Sequence, residues 1–308
     1  MLVRATVISV ASIFGLVAIV AVAGVVALNH LASNIKRVPV SFAKLAADQR
    51  VAGASSQSMN VLLTDTSATG GSGFVMVLHI NADKQAGGVV SLPPDAVVSV
   101  PGHGRTKLQN AQALGGPSLL VSTAEDVTEN PIEHYANIDF AHVQNVISTI
   151  GGVDVTLPAA SSGLGYTFHA GVNHLTARSA IAYLGDPSLS ELGQVERQGA
   201  LIRAILKKIA NDNLLNVTGT YSTLNALTSM LTVDSNFTNG DLTSLANELK
   251  NLGSNDGTFL TAPTHTNARG ERVMSAKVCE KMWTAIAHDS LAAFAAKYPS
   301  TVTPAAVP

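Results

Sequence analysis

Residues 5–28 form an almost unbroken apolar run, interrupted only by Thr6, Ser9 and Ser12. As a helix rising about 1.5 Å per residue it spans roughly 36 Å, enough to cross a bilayer with some tilt. The Ala21-Val22-Ala23 triplet inside it resembles a cleavage site. Signal-peptide cores, however, run only about 7–15 residues, so the length favours an uncleaved anchor. Arg4 lies on one side, and Lys36 and Arg37 on the other. Charge bias therefore does not orient the span. The short leading tail and the large following region predict a signal-anchor with the domain outside the cytoplasm.

The expected organisation is a cytoplasmic tail (1–4), the transmembrane helix (5–28), a membrane-proximal linker (29–58), a folded domain (59–297) and a flexible tail (298–308). The domain is long enough for one substantial core. A net charge of −2 with 13% charged residues argues against a nucleic-acid binder, which would carry a basic stripe. The single cysteine, Cys279, excludes an intramolecular disulfide and a cysteine metal site, and its apolar neighbours predict core packing. The histidines form no His-x-x-x-His or His-x-His pair, and there is no Walker motif.

Along the domain, apolar runs at 60–63, 74–80 and 88–92 predict buried strands, the last ended by Pro93-Pro94. Helices are expected at 107–114 and 118–127, on either side of Gly115-Gly116-Pro117, and a strand at 135–140. Val143, Val146, Ile147 and Ile150 line one helical face, stopped by Gly151-Gly152 before a strand at 153–157. Residues 158–174 read as loop. Helices follow at 177–184, 195–210, 224–231 and 241–252, then a strand at 259–262 and a helix at 275–297. Alternating strands and helices predict an α/β domain, a three-layer α-β-α sandwich with a central mixed sheet.

Several stretches together resemble the LytR–CpsA–Psr family of cell-wall glycopolymer transferases. Val89 through Asp95 is similar to its strand ending in Ser-Ile-Pro-Arg-Asp. Lys107-Leu108-Gln109-Asn110-Ala111 followed by Gly115-Gly116-Pro117 is similar to its Lys-Ile-Asn-Ala signature and turn. Gly151-Gly152-Val153-Asp154-Val155, Ala182-Tyr183 and Glu196-Arg197-Gln198 continue the likeness in order, over about 59–290. The resemblance implies a phosphotransferase that takes a glycopolymer from a polyprenyl-pyrophosphate lipid and attaches it to peptidoglycan. Arginines would hold the pyrophosphate, because a guanidinium gives bidentate, permanently charged donors. Carboxylates would hold Mg²⁺, which prefers hard oxygen ligands.

On this resemblance Asp95 and Arg197 are the expected catalytic residues, with Asp95 also the metal ligand. Lys107, Asn110, Gln198 and Arg105 are the expected substrate contacts. Each has a plainer reading as a turn, cap or surface residue. Arginine or carboxylate positions of the family hold Gly71, Gly73, Pro94, Gly185, Pro187 and Gln194 instead, and Phe74 follows where the family has threonine. Whether Asp65, after the first strand, replaces a lost carboxylate is open from sequence. The scaffold survives while charged positions are lost. The expectation is therefore a lipid-glycan-handling protein with weak or no catalysis, using Mg²⁺ only if active and acting with active relatives. The alternative is an active phosphotransferase with a reduced site.

Overall fold

The computed structural model describes residues 35–42, 45, 49–65, 73–84, 86–139, 142–189, 220–242, 245 and 258–302, and helical positions 193, 197, 200, 201, 204, 205 and 208. The expected anchor at 5–28 lies outside the described residues. Among those residues no helix is long and apolar enough to cross a membrane.

The domain is built on one seven-stranded mixed sheet. Its strands are β1 (Lys36–Val38), β2 (Met59–Thr64), β3 (Val75–Ile80), β4 (Gly87–Leu92), β7 (His134–Ile138), β12 (Leu231–Asp234) and β13 (Thr258–Thr261). They lie in the order β1-β12-β7-β2-β3-β4-β13. Strands β2, β3 and β4 are buried nearly end to end, so they read as continuous apolar runs. Successive side chains go to opposite faces. Val61, Leu63, Met76, Leu78 and Ile80 enter one core; Leu62, Val75, Val77, Val90 and Leu92 enter the other.

Helices cover both faces. The first core includes residues of α2 (Val143–Thr149), α3 (Ala177–Leu184), α4 (Thr220–Ser229) and the helical stretch around Leu201 and Ile205. The second includes residues of α1 (Asn110–Thr128), α5 (Ala276–Ala287) and α6 (Leu291–Lys297). Cys279 belongs to it, and burial raises its thiol pKa to about 11. Helix α1 joins the two expected pieces across a kink, where Gly115 and Gly116 leave helical geometry and Pro117 restarts the turn. Helix α3 begins with a capping box, Thr176 and Ser179 each bonding the other's backbone.

Four parts differ from the sequence expectation. Residues 97–107 form a hairpin of β5 (Val97–Val100) and β6 (Gly104–Lys107), so Lys107 ends a strand and does not start a helix. The expected loop at 158–174 holds the hairpin β9 (Ser161–Gly163)–β10 (Tyr166–Phe168) and most of β11 (Gly171–Leu175), which pairs with β8 (Val153–Leu157). A last hairpin joins β14 (Thr264–Thr266) and β15 (Arg272–Met274). The expected helix over 275–297 divides at Asp289, which adopts a left-handed conformation. Its carboxylate takes the buried His79 Nε2 at 3.0 Å and the Ala82 N–H at 3.0 Å. The break therefore ties the C-terminal helices to β3.

Candidate functional site

Strands β2 and β7 run parallel, and β4 and β13 share that direction, so their carboxyl ends open on one edge of the sheet. Ligands of open α/β sheets gather at such an edge. Asp65 follows β2 there, and Asp95 lies three residues beyond β4.

Asp65 is buried, and its N–H donates to the Phe74 carbonyl at 3.2 Å. A Cβ added at Gly73 would stand 1.7 Å from the Asp65 carbonyl oxygen. The Asp65 backbone thus fills the place where a side chain at 73 would begin. Burial pushes the buried Tyr135 phenol up; the charge of Asp65 adds to this and the Gln112 side chain opposes it. The Asp65 carboxylate therefore acts electrostatically on Tyr135, under the start of α1. At the start of α1, Gln109 and Gln112 each have a buried Oε1 with no hydrogen-bond partner among the described residues.

Asp95 sits in a turn closed by the Ala96 N–H to the Pro93 carbonyl, 3.0 Å, and the Gln109 N–H to the Pro94 carbonyl, 2.9 Å. Its Oδ2 accepts from Arg272 Nη1 at 3.0 Å, and Arg272 Nε donates to Thr264 at 2.8 Å. Arg105, on β6, pairs with Glu271 at 3.2 Å. Asn110 Nδ2 donates to the Thr106 hydroxyl at 2.7 Å. Lys107 is half-buried and stands opposite Val97 in the hairpin. The fold thus gathers Asp95, Arg105, Lys107 and Asn110 around one hairpin, as the sequence grouped them. Arg272 and Glu271, which sequence reasoning missed, supply the counter-charges of Asp95 and Arg105. Nothing in the sequence marks these partners, since Arg272 is 177 residues from Asp95.

Arg197 lies in a second cluster. It is 2% exposed, and its guanidinium faces the Asp186 carboxylate at 3.2 Å. Nη1 donates to the Tyr183 carbonyl at 2.8 Å and Nη2 to the Ser161 hydroxyl at 2.9 Å. The guanidinium also sits 4.8 Å from the Tyr183 ring centroid. Asp186 itself is 1% exposed. Burial works to raise its pKa, but hydrogen bonds from Ser188 and Ser161 and the Arg197 charge together hold it below the usual carboxylate value. Gln198 lies outside the described residues.

Gly185 closes α3 beside this pair. A Cβ added there would meet Leu164 Cδ1 at 3.1 Å and the Ile181 carbonyl at 3.2 Å. Gly163 packs still closer, with an added Cβ 2.4 Å from the Ala182 carbonyl. The β9–β10 hairpin therefore lies directly over the turn where the resemblance places an arginine.

Mg²⁺ would need several oxygen donors converging without a competing cation. Among the described residues no group of three or more His, Cys, Asp or Glu side chains could hold a metal. Asp95 already faces Arg272. The Asp95 oxygen that a cation would use is thus committed to a guanidinium.

Comparison with known proteins agrees with this architecture. The LytR_cpsA_psr family model matches residues 27–288. The polyisoprenyl-teichoic acid–peptidoglycan teichoic acid transferase TagU of Enterococcus faecalis is 31% identical over 173 residues, covering 54% of this chain and 56% of TagU. TagU of Halalkalibacterium halodurans is 30% identical over 160 residues, covering 50% and 52%. The chain spans about half the length of these curated relatives. Among solved structures, a LytR-Csp2A-Psr enzyme from Actinomyces oris superposes with a TM-score of 0.61 at 17% identity, covering 88% of this chain and 98% of that one. Bacillus subtilis TagT gives a TM-score of 0.58 at 21% identity, covering 83% and 100%. A TagT structure bound to LI-WTA gives 0.59 at 20%, also covering 83% and 100%. These structures share the mixed sheet with flanking helices, and with most of its length matched by the family model this chain belongs to the LytR_cpsA_psr family.

Proposed function

We propose that this protein works in bacterial cell-envelope assembly. It is anchored by its N-terminal helix with a three-layer domain outside the cytoplasm, and it handles polyprenyl-pyrophosphate-linked glycopolymers destined for peptidoglycan, with weak or no transfer of its own. The single observation that carries this reading is the buried Asp186–Arg197 pair. An arginine that faces a carboxylate, a carbonyl and a hydroxyl inside the protein offers little to a phosphate. Asp95 and Arg105, bound to Arg272 and Glu271, point the same way. A phosphate-contacting arginine can account for 10³–10⁵ in rate, so a site without such groups is expected to turn over slowly at best.

The names of the relatives support the choice of substrate. TagU acts on polyisoprenyl-linked teichoic acid and peptidoglycan, and TagT binds LI-WTA. A binding role would call for active family members to supply the transfer step. The alternative, an active phosphotransferase with a reduced site, draws on Asp65 at the carboxyl end of β2 and on the two glutamine oxygens at the start of α1 that have no partner among the described residues. The test is saturable binding of a labelled polyprenyl-pyrophosphate glycan by the full-length protein in detergent. Binding without glycan transfer is the expected result, and absence of any binding rules the reading out.

A further inference from the structure

Helix α1 consists of two pieces that are held very differently. Residues 118–128 are fixed. Leu120, Val121 and Ala124 are buried in the second core, the Ser118 hydroxyl accepts the Ser41 N–H at 2.9 Å, and the Glu129 carbonyl just beyond accepts the Val51 N–H at 3.2 Å. In residues 110–114 only Ala111 is buried. Ala113 and Leu114 are exposed, Leu114 to 46%. The joint between the pieces needs both of its glycines. Gly116 has φ 68° and ψ −163°, a conformation essentially restricted to glycine. A Cβ added at Gly115 would stand 2.7 Å from both Cβ and Cδ2 of Leu119. Pro117 has no N–H, so it returns no helical hydrogen bond to the short piece.

The short piece lies at the carboxyl edge of the sheet. It follows Gln109, whose N–H bonds the Pro94 carbonyl beside Asp95. The Gln112 side chain hydrogen-bonds the Tyr135 phenol on β7, and the charge of Asp65 acts on the same phenol. Gln112 Oε1 has no hydrogen-bond partner among the described residues, so its amide N–H makes the bond. A buried amide oxygen without a donor carries a desolvation cost. Lifting the short piece into water relieves that cost, and the bond to Tyr135 opposes the movement.

We infer that residues 110–114 form a gate over the carboxyl edge, turning at Gly115 and Gly116 and latched shut by Gln112 on Tyr135. Hinges of this kind are a few residues that absorb a large change in φ and ψ between parts that stay rigid. Closed, the gate covers the Tyr135 phenol and the approach to Asp65. Open, it uncovers both and gives Gln112 Oε1 a water partner. That the gate admits a ligand rests on the function proposed above; the movement itself rests on α1 and its contacts.

Spin labels at Leu114→Cys and Asp126→Cys test this in the full-length protein in detergent, with distances read by pulsed electron–electron double resonance and no ligand added. Both positions are exposed, and the native thiol, Cys279, is buried and stays unlabelled. A pair at Asp126→Cys and Glu280→Cys, on the fixed part of α1 and on α5, is the rigid control. The first pair is expected to give two distances and the control one. Gln112→Ala and Tyr135→Phe should each raise the open population about fivefold, the change that one net hydrogen bond supplies. Gly116→Ala, which disfavours the positive φ of the closed form, should shift the population the same way; if it does not fold, the two latch variants decide. A single narrow distance for the first pair, or a distribution that neither latch variant alters, overturns the gate. Binding of a labelled polyprenyl-pyrophosphate glycan is measured on the same samples. Two distances without binding would keep the gate and remove the proposed function.

Discussion

The Asp186 carboxylate and the Arg197 guanidinium face each other at 3.2 Å with both side chains almost wholly buried. They connect the end of α3 to the following helical stretch, and Ser161 brings in the β9–β10 hairpin. The pair belongs to the architecture of the domain. Its partners lie only 11 residues apart in sequence, yet no spacing rule announces them.

Removing one member should therefore reveal a structural role. Arg197→Ala leaves a buried carboxylate without its counter-charge and is expected to cost about 3–5 kcal/mol of unfolding free energy. Replacing both residues by well-packed apolar ones, Asp186→Leu with Arg197→Met, should recover most of that loss. Urea denaturation of the two variants beside the parent protein checks this. A fully stable Arg197→Ala protein would show that the pair contributes little.

The Asp95–Arg272 pair is partly exposed and should behave differently. A double-mutant cycle with Asp95→Ala and Arg272→Ala is expected to give a coupling of about 1 kcal/mol or less. If any transfer activity exists, Asp95→Ala should abolish it while lipid-glycan binding persists. Transfer unchanged in that variant removes Asp95 from the chemistry.

Restoring lost family residues one at a time should fail for steric reasons. An aspartate at position 73 collides with the Asp65 backbone, so Gly73→Asp is expected to destabilise by about 2 kcal/mol or more. Gly185→Arg crowds the exposed Leu164 side chain and the Ile181 carbonyl less severely, and is expected to be tolerated better than Gly73→Asp, more so when combined with Leu164→Ala. Melting temperatures of the single and double variants decide the point; a stable Gly73→Asp protein would contradict it.

Stability should also decline as the solution becomes less acidic. Glu125 is buried in α1, its Oε1 accepts the Ile132 N–H at 2.9 Å, and its Oε2 has no hydrogen-bond partner among the described residues. Burial raises its pKa from 4.5 to about 7. The folded state therefore holds a proton that the unfolded state has released. Its contribution is full below about pH 4.5, falls between pH 4.5 and 7, and levels off above that. The loss is on the order of 3 kcal/mol. Glu133, which accepts the Asn60 N–H at 2.7 Å, is also raised by burial to about 7. Glu125→Gln should therefore remove only part of this window in denaturant titrations, and Glu125→Gln with Glu133→Gln most of it. An unchanged profile in the double variant would exclude the two carboxyls as its source.

Much of the fold is legible in the sequence because burial on both faces writes β2, β3 and β4 as plain apolar runs. Helix α2 announces itself through Val143, Val146 and Ile147, and Gly115-Gly116-Pro117 marks the kink in α1. The short hairpins are not legible: Gly104–Lys107 and Thr264–Thr266 are polar segments whose strand character comes from their pairing partners. The same holds for the site. The sequence groups Asp95, Lys107 and Asn110, but Arg272 and Glu271 reach them only through the fold. Arg197 looks like a substrate contact until its surroundings show a buried pair.

The most direct measurement is glycan transfer from a labelled polyprenyl-pyrophosphate donor to peptidoglycan by the full-length protein with Mg²⁺, beside Enterococcus faecalis TagU in the same assay. The expected result is binding of the donor with transfer at least about 10³-fold slower than the relative. Transfer at a comparable rate would show that the remaining polar residues form a working centre, and would contradict the account.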